Sequence, residues 1–168
     1  MKKSTFFRKT VSVWKTPVAL TAIALMVVSG CKKDSDEAVS PATPTKTQML
    51  TEKAWKLTAC TITPAVQGIT NLYSVMASCE LDNTLKFNSD ASNSLVQDEG
   101  ATKCNSMDPQ QVAGSWQLNS AETEVMVNLN SQTDTYVLQS ISPTTLRVAV
   151  TMVISGTTYT TTNTYSNQ

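Results

Sequence analysis

Thirteen carboxylates, four cysteines and no histidine set the chemistry open to this chain of 168 residues. The missing imidazole removes the commonest general base, the commonest zinc ligand and every histidine-dependent triad. Paired carboxylates can still act as acid and base, and Asp98-Glu99 and Glu122 with Glu124 are the close pairs. Two residues apart on a strand, Glu122 and Glu124 share a face; flanked by Ser120 and Thr123, they read as a solvated rim. Asp82-Asn83, and Asp90 with Asn88 and Asn93, offer oxygen ligands for calcium without the spacing of a dedicated loop, so Asx-rich turns account for them better. The expectation is a protein that is not an enzyme, with no catalytic residue, no metal site and no implied cofactor.

The cysteines are Cys31, Cys60, Cys79 and Cys104. Cys31 stands at the end of a processing signal: Lys2, Lys3, Arg8, Lys9 and Lys15 occur without an acid, and Pro17 to Val28 is apolar except for Thr21. That run is too short to cross a bilayer core, which takes roughly twenty residues. It closes on Val28-Ser29-Gly30-Cys31, a small-small-Cys ending that resembles the lipobox of bacterial lipoproteins. The resemblance implies a signal peptide over 1–30, cleavage before Cys31, and acylation of Cys31 with chains such as palmitate. Each buried acyl CH₂ contributes roughly 0.8 kcal/mol, so two or more chains hold a protein firmly to a membrane. Removing 30 of the 168 residues leaves 138, which keep 8 of the 13 basic residues and all 13 acids, a net charge of −5. A negative domain without a basic cluster argues against nucleic acid as a partner. In an oxidising compartment one disulfide is expected among Cys60, Cys79 and Cys104, with one thiol left over.

Those residues must be positioned by the chain beyond the anchor. Residues 31–48 are polar, rich in Lys, Asp, Ser, Pro and Thr, and cannot bury enough surface to offset their ordering entropy, so they read as a disordered tether. Within it, Lys32-Lys33-Asp34-Ser35-Asp36-Glu37 resembles the tag that carries some Gram-negative lipoproteins to the cell surface; a soluble linker is the alternative. From Met49 onward the period is two. Trp55, Leu57 and Ala59 alternate with Lys56 and Thr58, Leu85 and Phe87 flank Lys86, and Val125, Val127 and Leu129 alternate with Met126 and Asn128. Thr133 to Ser140, Thr145 to Ile154 and Thr157 to Tyr165 are rich in β-branched residues and are punctuated by Ser142-Pro143 and Ser155-Gly156. With Ser94 to Gln97 and Ser115 to Asn119 this makes about eight strands. The long connection from Pro64 to Asp82 carries Ile69, Leu72, Tyr73 and Met76 at helical spacing, so a short helix or lid is expected there. Many short antiparallel strands remove their exposed edges by closing into a barrel; a two-sheet sandwich is the competing architecture.

Several segments carry a family likeness. Leu50-Thr51-Glu52-Lys53-Ala54-Trp55-Lys56-Leu57 opens the domain, Cys79-Glu80-Leu81-Asp82-Asn83-Thr84-Leu85-Lys86-Phe87 comes second, and then come Cys104, Gly114-Ser115-Trp116-Gln117-Leu118 and Ile141-Ser142-Pro143-Thr144-Thr145-Leu146. In order and spacing they resemble the lipocalin-like domains of bacterial lipoproteins, over about Met49 to Tyr165. The Gly-x-Trp signature of lipocalins is incomplete, with Lys53 where glycine would precede Trp55, and Thr133-Asp134-Thr135-Tyr136 approximates a downstream motif without matching it. The resemblance implies an all-β, antiparallel up-and-down barrel over 49–168 and a disulfide between Cys79 and Cys104 that pins the long loop.

Within such a domain Cys60 is reactive, or a partner for Cys79 in place of Cys104, or a small buried hydrophobe on the first strand; the last is favoured although Cys60 is out of phase with Trp55 and Leu57. Trp55 and Trp116 read as core anchors sealing one barrel end. Tyr73, Met76, Tyr136, Met152 and Tyr159 are the candidate ligand-binding residues, since pockets are mostly apolar with a few polar tips; they serve equally as core filling. The expected function is that of a lipoprotein anchored to the outer membrane of a Gram-negative envelope, facing periplasm or surface, that binds a small hydrophobic ligand. A packed interaction protein meeting an envelope or extracellular partner is the alternative, and oligomeric state is left open.

Overall fold

The computed structural model describes residues 42–168. The expected signal peptide, Cys31 and most of the expected tether lie outside them. Order begins earlier than the sequence composition suggests, at a helix α1, Lys46–Glu52, whose first residues overlap the expected tether. Its cause is a capping box: the Thr45 hydroxyl accepts from the Gln48 amide at 3.1 Å, and the Gln48 side chain accepts from the Thr45 amide at 2.8 Å, satisfying two donors a helix start leaves orphaned. A single apolar side chain, Leu50, is driven into the core and is fully buried.

Nine strands make up the rest: β1 Trp55–Val66, β2 Ile69–Asn71, β3 Thr84–Phe87, β4 Ser94–Asp98, β5 Gln111–Leu118, β6 Glu124–Leu129, β7 Gln132–Ile141, β8 Thr145–Ile154 and β9 Thr157–Asn167. Every pairing is antiparallel, and from β3 to β9 each strand pairs with its successor. β1 pairs with both β3 and β9, from Trp55 opposite Asn167 to Thr63 opposite Thr160. The sheet therefore closes on itself as an eight-stranded up-and-down barrel, with β2 added outside the ring as a short return of β1. This is the lipocalin-like architecture expected from the sequence.

Two local features depart from the simple alternation. The expected long loop from Pro64 is instead the end of β1, a turn at Gln67-Gly68 with both residues at positive φ, and β2; such two-residue turns match the twist of the flanking strands. The helical spacing of Ile69, Leu72, Tyr73 and Met76 is realised only as one 3-10 turn, Tyr73–Val75, because Ile69 is taken up by β2. Within β1 the register slips between Leu57 and Ala59. This bulge inserts one residue and reverses the phase, so Cys60 and Ile62 are buried while Ala59, expected on the inner face, is only half-buried.

The barrel has unlike ends. At the closed end, α1 is held by the Lys46 ammonium donating to the Glu122 carbonyl at 2.7 Å and by Lys86 donating to the Thr51 carbonyl at 2.6 Å. Leu50 packs there with Phe87, Trp116, Leu146 and Val125. Both buried indoles find a partner: Trp55 donates to the Leu50 carbonyl and Trp116 to the Asn88 carbonyl, each at 2.9 Å, and the Trp116 ring meets Phe87 edge-on, with centroids 5.6 Å apart. The two tryptophans anchor the core, as their sequence positions suggest. At the other end the chain passes through the β1–β2, β4–β5, β6–β7 and β8–β9 connections and the segment from Leu72 to Asn83, and no α-helix among the described residues covers the interior.

Candidate functional site

The open end is built first by a latch. Cys79 and Cys104 form a disulfide with Cα atoms 5.2 Å apart, the pairing the family resemblance implies. Next to it the Asp82 carboxylate accepts from the Ala101 and Thr102 amides, both at 2.9 Å, and from the Thr102 hydroxyl at 2.7 Å. Hydrogen bonding from Thr102 holds this carboxyl below the ordinary aspartate range. Gly100 lies at φ +70°, and a Cβ there would sit 2.5 Å from the Asp82 carbonyl oxygen, so only glycine allows the two loops to approach this closely. With its amide nitrogen turned toward two carbonyls, Asn83 reaches Glu99 at 2.9 Å and Cys79 at 3.1 Å. The segment before β3 is thus fixed against the β4–β5 connection.

Inside this rim the core stops short of the mouth and leaves a cavity of about 210 Å³. Its floor and walls are apolar or aromatic, from Trp55, Leu57, Leu85, Leu129, Tyr136 and Tyr165, and its polar edge is made by Glu80, Asn83, Thr84, Gln97 and Asp134. Tyr165, on β9 opposite Leu57 and Leu146, is 8 % exposed. Burial, with smaller contributions from Tyr136 and Cys60, pushes its phenol pKa far up, and burial followed by Asp134 raises that of Tyr136. Both phenols are therefore neutral hydrogen-bonding groups at neutral pH. A wider hollow of about 350 Å³ lies against Ser115, Gln117, Met126 and Asn128. These positions are exposed and face outward from β5 and β6, so the hollow is an open surface groove.

Of the five candidate ligand-binding residues, the structure brings Tyr136 to the cavity and does not bring the others. Tyr73 and Met76 are half-buried in the segment after β2. Met152 and Tyr159 pair across β8 and β9 beyond Ala149, where β7 no longer accompanies β8; Met152 is 38 % exposed there. Among the lining residues not singled out from the sequence, Leu85, Gln97, Leu129 and Asp134 share a legible signal, each lying within three residues of the mouth end of its strand.

The other chemistry-bearing groups have structural work. Asp90 closes the β3–β4 turn, accepting from the Ser92 and Ser94 amides at 3.1 and 2.9 Å and from both hydroxyls; its pKa falls to about 2, chiefly through the Ser94 side chain. Asp98 accepts from the Gln111 side chain at 2.7 Å, the Gly100 amide at 2.8 Å and the Gln110 side chain at 3.0 Å, which lowers its pKa. Glu122 is a turn residue at φ 53° and Glu124 begins β6, so they do not share a strand face as expected. Cys60 is a buried free thiol whose pKa is raised by burial. Compared with models of known protein families the chain matches none, and no curated protein matches it either.

Proposed function

We propose that this is a non-catalytic lipoprotein, tethered to the outer membrane of a Gram-negative envelope through acylated Cys31, whose lipocalin-like barrel binds one small, largely apolar ligand at its open end. The observation that carries the reading is the 210 Å³ cavity with an apolar, aromatic floor and a few polar groups at its edge, the composition of small-molecule sites. A rim cross-linked by the disulfide and the Asp82 latch supports it, because a mouth held open before binding loses little entropy when a ligand enters. The anchor is supported by Val28-Ser29-Gly30-Cys31 after an apolar run.

A second reading, a docking protein for an envelope partner, is favoured by one observation. Beyond Ala149, β8 is paired on one side only and carries Val153 at 67 % and Ile154 at 52 % exposure, an unprotected apolar edge. Native mass spectrometry of the protein purified unreduced from its own host separates the two. A small molecule present under gentle conditions and released on denaturation supports the carrier. A bare protein mass, with a second polypeptide retained, supports docking instead.

A further inference from the structure

The charged groups that line the cavity are of one sign. Glu80 and Asp134 stand on its edge, and no lysine or arginine among the described residues lines it. Asp82, Asp98, Glu99 and Asp108 lie at the same end, where the only cation among the described residues of the connecting loops is Lys103, already donating to the Asp108 carbonyl. Lys46, Lys53, Lys86 and Arg147 lie toward the closed end among Glu52, Asp90, Glu122 and Glu124, and Lys56, on β1 opposite Thr84, does not line the cavity. A concave site ringed by one sign of charge focuses its field and draws in ions of the opposite sign.

A second, independent observation comes from the cavity floor. Tyr165 lines the cavity at 8 % exposure, with its hydroxyl beside the Asn163 side chain. Three aromatic rings, of Trp55, Tyr136 and Tyr165, face the same space, and ring faces attract cations.

Resting on the reading of the open end as a ligand cavity, we propose that its occupant is a small aryl or alkyl amine, bound as the ammonium with its apolar body against the aromatic floor, and that carboxylate-bearing amphiphiles such as fatty acids are excluded. An ammonium brings three donors and no acceptor, matching the two rim carboxylates, whereas a carboxylate would face Glu80 and Asp134. A cavity of about 210 Å³ holds a single ring or a short chain.

The test titrates the purified full chain with phenethylamine, 2-phenylethanol and phenylacetate, which share a ring and differ in head group, by calorimetry and tryptophan fluorescence. The amine is expected to bind roughly tenfold more tightly than the alcohol, to weaken with added salt, and phenylacetate to give no saturable signal. In the double variant Glu80→Gln, Asp134→Asn the amine loses its advantage while the alcohol keeps its affinity. Equal binding of all three, or an amine preference that survives the double substitution, overturns this assignment and leaves the cavity reading standing. Binding of none overturns both.

Discussion

At the scale of single residues, four of the described carboxylates, Glu80, Asp82, Asp90 and Asp98, accept from backbone amides. Asp90 is the clearest, with Ser92 and Ser94 each giving it two hydrogen bonds. Its folded pKa of about 2 lies below the ordinary value of 3.8, so its contribution is complete above the unfolded value and is lost as pH falls through the folded one. Urea unfolding of the wild type and of Asp90→Asn is expected to differ at pH 7, and the difference to shrink from about pH 4 downward and vanish near pH 2. A gap that stays constant to pH 2 would mean that the carboxylate charge is immaterial. That Asx residues here make turns was legible from Asp90, Ala91, Ser92 and Asn93 in the sequence. The burial of Cys60 was legible only in part, because its phase depends on a bulge that no residue type in Leu57-Thr58-Ala59 announces.

At the scale of elements, the barrel relies on short connections. Three hairpins turn on two residues of positive φ: Gln67-Gly68, Asn130-Ser131 and Ser155-Gly156. Of these, the β6–β7 turn alone lacks glycine, and Ser131 sits at φ 63°, where a side chain costs roughly 1 kcal/mol. Ser131→Gly is expected to raise stability by about 0.5 kcal/mol, the relief of strain exceeding the entropy glycine adds to the unfolded chain; a fall in the urea midpoint would refute the strain argument. The disulfide spans 25 residues, so removing it as Cys79→Ala, Cys104→Ala is expected to cost about 3 kcal/mol in chemical unfolding. A loss below about 1 kcal/mol would show that the Asp82 latch and Asn83 hold the rim unaided. The helix α1 is the element whose sequence signal is smallest, four residues of Thr45-Lys46-Thr47-Gln48 within a polar stretch. A capping box marks where a helix starts, but seven residues are too few to be stable alone, and the docking of Leu50 into the barrel, with the hydrogen bonds of Lys46, Lys86 and Trp55, keeps them folded.

At the scale of the whole molecule, the barrel has one end plugged by α1 and one open end with a cavity edged by acids. Filling the cavity tests the proposed binding: Leu57→Trp places an indole in it, and the variant is expected to keep its far-UV dichroism, to change stability by no more than about 1–3 kcal/mol, and to lose any small molecule that native mass spectrometry finds on the wild type. Retention of that molecule at wild-type stoichiometry would place its site elsewhere. Alternation of apolar residues, turn chemistry and the order of segments in the sequence determined an antiparallel barrel of about eight strands, because side-chain period and turn type are local properties of a strand. The proposed leader and its terminal cysteine rest likewise on a linear signal. Tertiary structure alone decided which inward residues pack and which are left facing empty space. Burial depends on strand tilt, on the bulge at Thr58, and on α1 filling one end while leaving the other open. For that reason Tyr136 joins the cavity, whereas Met152 and Tyr159, equally apolar and on strands of the same kind, extend past the ring of the barrel.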